Sequence, residues 1–323
     1  MKTFKNIYSL KKTLVDIRKN NQSIGFVPTM GALHEGHLSL INKSKKENDI
    51  TICSIYVNPI QFNNKQDLIK YPRNIKSDIA MLHKIHCDIL FAPSNEEMYV
   101  LNEHGDYNIS KVMNLLEGEK RPGHFAGVIT IVHILFKLIN PHRSYFGEKD
   151  YQQLWLIKFF VKKIKLPTKI ISCPTIRDID GLALSSRNTR LNSKQRKVAT
   201  ILFQYIDSFK NKILEIKKNH HKKRINISTL KYEQIKMIHQ DSLIKLDYFE
   251  VIDVENFSFA TEIVFNKNYR ILIAAFIGGV RLIDNVLIDN NGQNTLPSQS
   301  FIMITSSTIS DTTFSTLEIS GST

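Results

Sequence analysis

The sequence predicts an α/β protein, in which a parallel sheet covered by helices is followed by a smaller α+β unit. Three observations carry this. Five short apolar runs, "SIGFVPT", "ITICSIYVNP", "CDILFAP", "RSYFGE" and "TKIISCPTI", have the length of buried strands, and several end at Gly or Pro. Helical patterns, "HLSLINKSKKEN", "IKSDIAMLHKIH", "GVITIVHILFKLIN" and "YQQLWLIKFFVKKI", lie between them. Strand and helix in alternation argue for a parallel sheet with both faces covered. Near Ile176 the pattern changes. A polar loop leads to a helix after Asn192-Ser193, then to basic helical sequence, then to "LDYFEVIDVENF" and "YRILIAAFIGGVRLIDNVLI". The last two read as strands of a small antiparallel sheet packed on helices.

The expected organisation is therefore a first domain over 1–176, a second over 177–289 with a hinge near 176–181, and a tail over 290–323. The tail is rich in Ser and Thr, with only Asp311 and Glu318 charged, and reads as disordered. Its Ile, Phe and Thr content leaves transient strand pairing open.

Composition narrows the class. A chain of 323 residues with 42% hydrophobic and 23% charged residues is an ordinary globular protein. Cys53, Cys87 and Cys173 are far apart in or beside apolar runs, so they suggest neither a disulfide framework nor a zinc spacing. The first twenty residues are charged throughout, unlike a signal peptide. The longest apolar run, "VITIVHILFKLI", is interrupted by His133 and Lys137 and is too short to span a bilayer. A cytoplasmic protein with no membrane association is expected. The net charge of +14 invites a nucleic-acid reading. Lysine is spread along the whole chain, however. The dense run "KKNHHKKR" (217–224) follows an amphipathic pattern without interleaved aromatic residues, so it reads as a solvated helix end.

Three motifs carry chemistry. In "GFVPTMGALHEGHLSLI" a strand leaves through Thr29-Met30-Gly31 and a helix begins near His34 and His37. Unpaired N–H groups at that helix start, two histidines and a tight glycine turn make a bed for an anionic phosphate. Two packing histidines are the plainer reading of H-x-G-H alone, and a metal would want a third ligand that the sequence does not position, but the preceding strand and Gly turn favour the phosphate. In "SYFGEKDYQQLWLI" a strand ends at Gly147, and Lys149 stands where a point charge can bind a phosphoryl group. In "DIDGLALSSRNTRL", Ser185, Ser186 and Arg187 place two hydroxyls beside a guanidinium, a clamp for developing negative charge. Together they point to a nucleotide-phosphate site. His83, His86 and Cys87 resemble a metal cluster on paper, but they lie on a helix running into a buried strand.

These motifs, with "VNPIQF", "YPR", "LLEGEKRPGHFAGV" and "RLIDN", resemble the pantothenate synthetase (pantoate–β-alanine ligase) family in its order and spacing, over about residues 1–289. The resemblance implies a Rossmann-like N-terminal domain, a smaller C-terminal lid, and a homodimer formed through the N-terminal domain. It implies a two-step, AMP-forming condensation of pantoate with β-alanine, driven by ATP through a pantoyl adenylate. Met30, Gly31, Ala32, Leu33, His34, Glu35, Gly36 and His37 match the family's ATP-binding segment, with His37 as proton donor to the leaving pyrophosphate. Gly147, Glu148, Lys149 and Asp150 match a second ATP segment, with Lys149 on the reacting phosphoryl group and Asp150 toward the ribose. Ile176 matches a backbone contact to adenine, and Leu184, Ser185, Ser186 and Arg187 match the clamp. Gln61 and Gln153 would hold pantoate, Gln61 also lying near β-alanine. Mg2+ would bridge the ATP phosphates, which carry most of its ligands, with Asp78 as a candidate protein ligand. Arg121 and His124 would shape the pocket or merely make a turn.

Three departures from the family pattern stand out. Leu184 replaces the methionine of many members. "FNNKQDL" replaces a more acidic or proline-bearing loop, a change expected to reach the flap near Gln61 but none of the named contacts. The tail after 289 has no family counterpart. Another adenylyl- or cytidylyltransferase would share the histidines but would not need Gln61 and Gln153 in these contexts.

Overall fold

A computed structural model describes residues 1–99, 109–220 and 223–289. Strand β1 (Lys2–Phe4) and helix α1 (Ile7–Lys19) open the chain. Asn6 caps α1 by accepting the Ser9 N–H, and Ile7, Leu10, Leu14 and Ile17 form its buried face. Neither element figures among the sequence expectations, because the lysines of this segment obscure its apolar stripe.

The five expected strands follow as β2 (Ile24–Thr29), β3 (Ile50–Ile55), β4 (Ile89–Phe91), β5 (Arg143–Gly147) and β6 (Lys169–Cys173). Between them run α2 (Glu35–Glu47), α3 (Lys65–Ile69), α4 (Ile75–Lys84), α5 (Asn95–Tyr99), α6 (Glu117–Lys120), α7 (His124–Ile139) and α8 (Tyr151–Lys163). The six strands form one parallel sheet in the order β1-β4-β3-β2-β5-β6. Successive residues of a strand point to opposite faces. Phe26 accordingly packs in the core shared with α1, α7 and α8, while Val27 packs with Leu38 and Ile41 of α2 and Leu82 of α4. The expected doubly covered sheet is therefore present.

Strand order reverses between β2 and β5. The chain runs from β2 outward through β3 to β4, then returns to lay β5 on the other side of β2. Open sheets of this kind bind ligands at the carboxyl ends of the strands beside such a reversal. Here those ends are Thr29 and Gly147, where two of the three motifs begin.

The rest of the chain forms α9 (Ser193–Ala199), α10 (Ile201–His220), β7 (Arg224–Asn226), α11 (Ser228–His239), β8 (Ile244–Asp253), β9 (Glu262–Val264), β10 (Tyr269–Ile277) and β11 (Val280–Ile288). Strands β8, β10 and β11 make an antiparallel sheet in the order β11-β10-β8, while β7 and β9 make a separate antiparallel pair. The run from Tyr269 to Ile288, read as one strand, is a hairpin. Gly278 and Gly279 both take positive φ (55° and 80°), the geometry of a two-residue turn whose twist suits the flanking strands. One face of the sheet packs on α10 and α11, with Phe249 edge-on to Phe209. The other face and its connections reach α8, where the Trp155 indole N–H donates to the Val254 carbonyl at 3.2 Å. That contact seats the second sheet beside the Gly147–Asp150 turn.

No helix among the described residues is long and apolar enough to cross a membrane. The expected tail, 290–323, and part of the 217–224 run lie outside the described residues.

Candidate active site

The first wall of the site is the turn between β2 and α2. Gly31 has φ +76°, and a Cβ there would lie 2.9 Å from the Asp78 carboxylate and 3.0 Å from Ile55, so glycine suits both backbone and space. Asp78 is the brace of this turn. Its two carboxylate oxygens accept the N–H groups of Ala32 and Leu33 at 3.0 and 2.8 Å. Asp78, the candidate magnesium ligand, is thus buried and committed to backbone.

His34 then caps α2. Its Nδ1 accepts the Gly36 N–H at 3.2 Å, and the His37 Nδ1 accepts the His34 N–H at 3.3 Å, a reciprocal capping box. Because each Nδ1 is an acceptor, each neutral ring carries its proton on Nε2. Burial, then Lys149, pushes the His34 pKa down to about 4; burial, then His34 and Lys149, pushes that of His37 down to about 3. Two neutral rings, 4.1 Å apart between centroids, can each offer an Nε2–H to an anion.

The second wall is the turn after β5. Asn285 of β11 donates its side-chain amide to the carbonyls of Glu148 and Lys149, both at 2.9 Å. Arg270 of β10 donates to the Glu148 carboxylate at 3.0 Å and to the Asn285 side chain, and it lies 4.0 Å over the Tyr151 ring. Lys149 is thus held by backbone contacts from the second sheet. Its Nζ lies 3.9 Å from the Asp150 carboxylate.

The third wall is the segment after β6. Arg177 pairs twice with Asp284 of β11, at 2.6 and 2.8 Å, and donates to the Gly181 carbonyl. Asp178 and Asp180 are gripped by Arg196 of α9. The Leu184 N–H donates to the Ile176 carbonyl at 3.0 Å, closing the loop so that Ser185 can cap the short turn through Arg190. Ser186 donates to the Ala32 carbonyl at 3.3 Å, joining this wall to the first. Arg187 donates to Asp67 at 2.8 Å, and Arg190 takes the other oxygen of the same carboxylate at 2.9 Å. Asp67 belongs to "FNNKQDL". This loop, expected to reach the flap near Gln61, thus also holds Arg187.

The floor is built around Gln61. It ends a one-turn helix at Pro59–Gln61 capped by Asn58, whose amide also donates to the Gly127 carbonyl of α7 at 3.0 Å. A Cβ on Gly127 would lie 2.8 Å from both the backbone N and the Cα of Gln61, so glycine is what lets α7 approach this closely. His124 Nδ1–H donates to the Gln61 carbonyl at 2.7 Å, which leaves its Nε2 to accept from Arg121 at 3.0 Å. The adjacent glutamines divide their work. Gln152 is buried and donates to the carbonyls of Val112 and Leu115, while Gln153 faces the site.

These walls enclose a cavity of about 220 Å³. Met30, His34, Gly36, His37, Gln61, Gly147, Lys149, Asp150, Gln153, Ile176, Leu184, Ser185, Ser186 and Arg187 all border it, although they come from five separate stretches of chain. Gly31 and Ala32 instead line an open groove on the far side of their turn, Leu33 is in the core, and Glu35 is exposed. Glu148 is turned toward Arg270. Among the described residues no group of three or more His, Cys, Asp and Glu is arranged to hold a metal ion. Of the paper cluster, Cys87 is buried with its Sγ against the carbonyls of Thr51 and Ile89.

A sheet reversal carrying phosphate-binding elements is common to many nucleotide enzymes. What decides between them is a match over most of the chain: the family model described as pantoate-beta-alanine ligase matches residues 2–287. The chain belongs to the pantoate-beta-alanine ligase family. A pantothenate synthetase of Caldicellulosiruptor bescii is 41% identical over 289 residues, covering 90% of this chain and 99% of the relative. One from Azobacteroides pseudotrichonymphae is 42% identical over 287 residues, covering 88% and 99%. Among solved structures, pantothenate synthetase from Thermus thermophilus has a TM-score of 0.80 at 34% identity, covering 90% of this chain and 100% of that one. The ligase of Francisella tularensis, solved with beta-gamma ATP and beta-alanine, has a TM-score of 0.66 at 40% identity, covering 89% and 98%.

Asp78, Asn285, Arg270, Asp67 and the His124–Gln61 link are the supporting residues that sequence reasoning missed as such. The clearest trace of them was the quoted "RLIDN", which contains Asp284 and Asn285.

Proposed function

We propose that the chain condenses pantoate with β-alanine at the cost of ATP, giving pantothenate, AMP and pyrophosphate. One observation carries this: a single cavity joins a phosphate-facing side, His34, His37, Lys149, Ser185, Ser186 and Arg187, to an amide-bearing side, Gln61 and Gln153.

A carboxylate oxygen of pantoate attacks the α-phosphorus of ATP, and the bond to the β-phosphate oxygen breaks. Lys149 neutralises charge on the reacting phosphoryl group, while Ser185, Ser186 and Arg187 clamp the departing pyrophosphate. His34 and His37 donate Nε2–H bonds to the phosphates. The negative charge of the nucleotide raises their pKa values, so His37, held neutral without nucleotide, can share its proton with the leaving oxygen. Gln61 and Gln153 bind pantoate's hydroxyl groups. The neutral amine of β-alanine then attacks the acyl carbon, and the C–O bond to AMP breaks. No covalent bond to the protein forms, so positioning and charge stabilisation supply the catalysis.

Asp150 reaches the ribose, and Ile176 and Leu184 flank the base. Mg2+ travels with the phosphates, which supply its ligands; the commitment of Asp78 to backbone N–H groups supports this assignment. We place the boundary between the two domains at 176/177, and the protein in the cytoplasm as a homodimer. Exposed Ile69 and Ile75 beside the open groove of the first domain favour an association there.

The test is AMP and pyrophosphate release from ATP, with the two acids supplied singly and together. Pyrophosphate should require pantoate alone, and AMP release should require β-alanine as well. Lys149→Ala should abolish both. Consumption of ATP that neither acid stimulates would overturn the assignment.

A further inference from the structure

Arg121 is the one cation on the cavity wall to which the proposed reaction gives no task. Of the other two, Lys149 lies near Asp150, and Arg187 is paired with Asp67. Arg121 makes a single hydrogen bond among the described residues, to the neutral His124 Nε2. Glu117, the carboxylate whose charge acts on it most, is already hydrogen-bonded elsewhere. Arg281 grips both Glu117 oxygens at 2.7 and 2.8 Å, and Tyr248 donates to one of them at 2.7 Å. Burial pushes the Glu117 carboxyl up, but Arg281 first, then Tyr248 and the charge of Arg121, together more than offset this and hold it below the usual range. Burial, then Arg187, pushes Arg121 down to about 10, which still leaves it charged at neutral pH. A half-buried guanidinium with no carboxylate hydrogen-bonded to it is costly unless an anion arrives.

The position of Arg121 says which anion. The phosphates have His34, His37, Lys149 and the 185–187 clamp. Pantoate's own carboxylate is the nucleophile and must face the α-phosphorus. Arg121 is tied through His124 to Gln61 on the amide-bearing side, and it also borders a small adjoining cavity of about 20 Å³ with Lys149, Gln153, Tyr248 and Asn285. His124 fixes one guanidinium nitrogen and leaves the remaining N–H groups for a ligand. We propose that Arg121 binds the carboxylate of β-alanine, and that this contact selects a carboxylate-bearing amine for the second step. The inference rests on the function proposed above.

A guanidinium fork fits a carboxylate with two parallel hydrogen bonds. With its carboxylate held there, β-alanine can swing its amine, two methylenes away, toward the acyl carbon. The fixed positive charge also disfavours the ammonium form, and only the neutral amine has the lone pair that forms the amide.

The test separates the two half-reactions in the full-length chain and in Arg121→Met and Arg121→Lys. Pantoate-dependent exchange of pyrophosphate into ATP reads the first step alone. Consumption of the adenylate by β-alanine, or by propylamine, reads the second. Arg121→Met should raise the KM for β-alanine about tenfold to a hundredfold, the loss expected for a charge-assisted hydrogen bond. Exchange should change less than threefold, and the preference over propylamine should vanish. Arg121→Lys should recover part of that preference. An unchanged KM for β-alanine, or a loss confined to exchange and to the KM for pantoate, would overturn the proposal. The unmutated chain gives a reading that does not depend on the variants folding. It should favour β-alanine over propylamine in kcat/KM by at least tenfold, and equal use of the two amines would also overturn the proposal. Absence of pantoate-dependent exchange in the unmutated chain would instead sink the function on which this rests, and the proposal with it.

Discussion

The side-chain amide of Asn285 donates to the backbone carbonyl of Lys149 at 2.9 Å, across 136 residues of sequence. A second bond of the same length goes to Glu148. The second sheet thus holds the lysine's backbone in place from outside the sheet that carries it. Asn285→Ala should lower stability by about 1–3 kcal/mol, because two carbonyls lose their donor. It should also lower kcat by about tenfold to a hundredfold, because a lysine displaced by about 1 Å stabilises the transition state poorly. Urea unfolding and steady-state kinetics on the same preparation check both.

Asp67 serves two arginines at once. Burial raises its pKa, but the hydrogen bonds and charge of Arg187 and Arg190 outweigh this and hold it below the ordinary value. On the proposed function, the carboxylate competes with a triphosphate for Arg187. Asp67→Asn should lower the KM for ATP by up to about fivefold, the equivalent of about 1 kcal/mol for a part-exposed ion pair. The gain should shrink as salt is raised. Assays at low and high ionic strength read it.

His34, His37 and His124 have folded pKa values pushed down to about 4, 3 and 4, burial being the first cause in each. Their unfolded value is about 6.5. Between those limits the unfolded chain binds more protons, so stability is full above about pH 6.5 and is lost as pH falls below it. The slope is about 1.4 kcal/mol per pH unit for each ring that contributes fully. Urea unfolding at pH 7.5 and 5.0 should show the loss, and His37→Asn should flatten it.

Gly127→Ala places a methyl group 2.8 Å from the backbone of Gln61. Either α7 or the Gln61 turn must move, at a cost of about 1–3 kcal/mol. The KM for pantoate should rise about tenfold or more, with the KM for ATP little changed. Initial rates with each substrate varied in turn distinguish the two.

Much of this molecule is legible in its sequence, for identifiable reasons. The five strands β2 to β6 are continuous apolar runs because both faces of the sheet are covered, and His34, Lys149 and Ser185 announce themselves in short motifs. Helix α1 escaped because Ile7, Leu10, Leu14 and Ile17 are diluted by lysine. The hairpin at Gly278-Gly279 escaped although two glycines between strand-like runs are themselves a turn signal. Supporting contacts such as Asn285–Lys149, Asp67–Arg187 and His124–Gln61 join segments 63 to 136 residues apart. No local spacing encodes such pairs. Asp78 is the instructive case: an acid near a phosphate site suggests a metal, yet its two oxygens hold the turn that shapes the site.

The central claim is that an oxygen of pantoate's carboxylate becomes bonded to the α-phosphorus. Pantoate labelled with 18O in both carboxylate positions, incubated with ATP and β-alanine, tests it most directly by mass spectrometry of the products. The account predicts AMP carrying one 18O and pantothenate retaining one in its amide carbonyl. Label in ADP or inorganic phosphate, or AMP free of label, would contradict it.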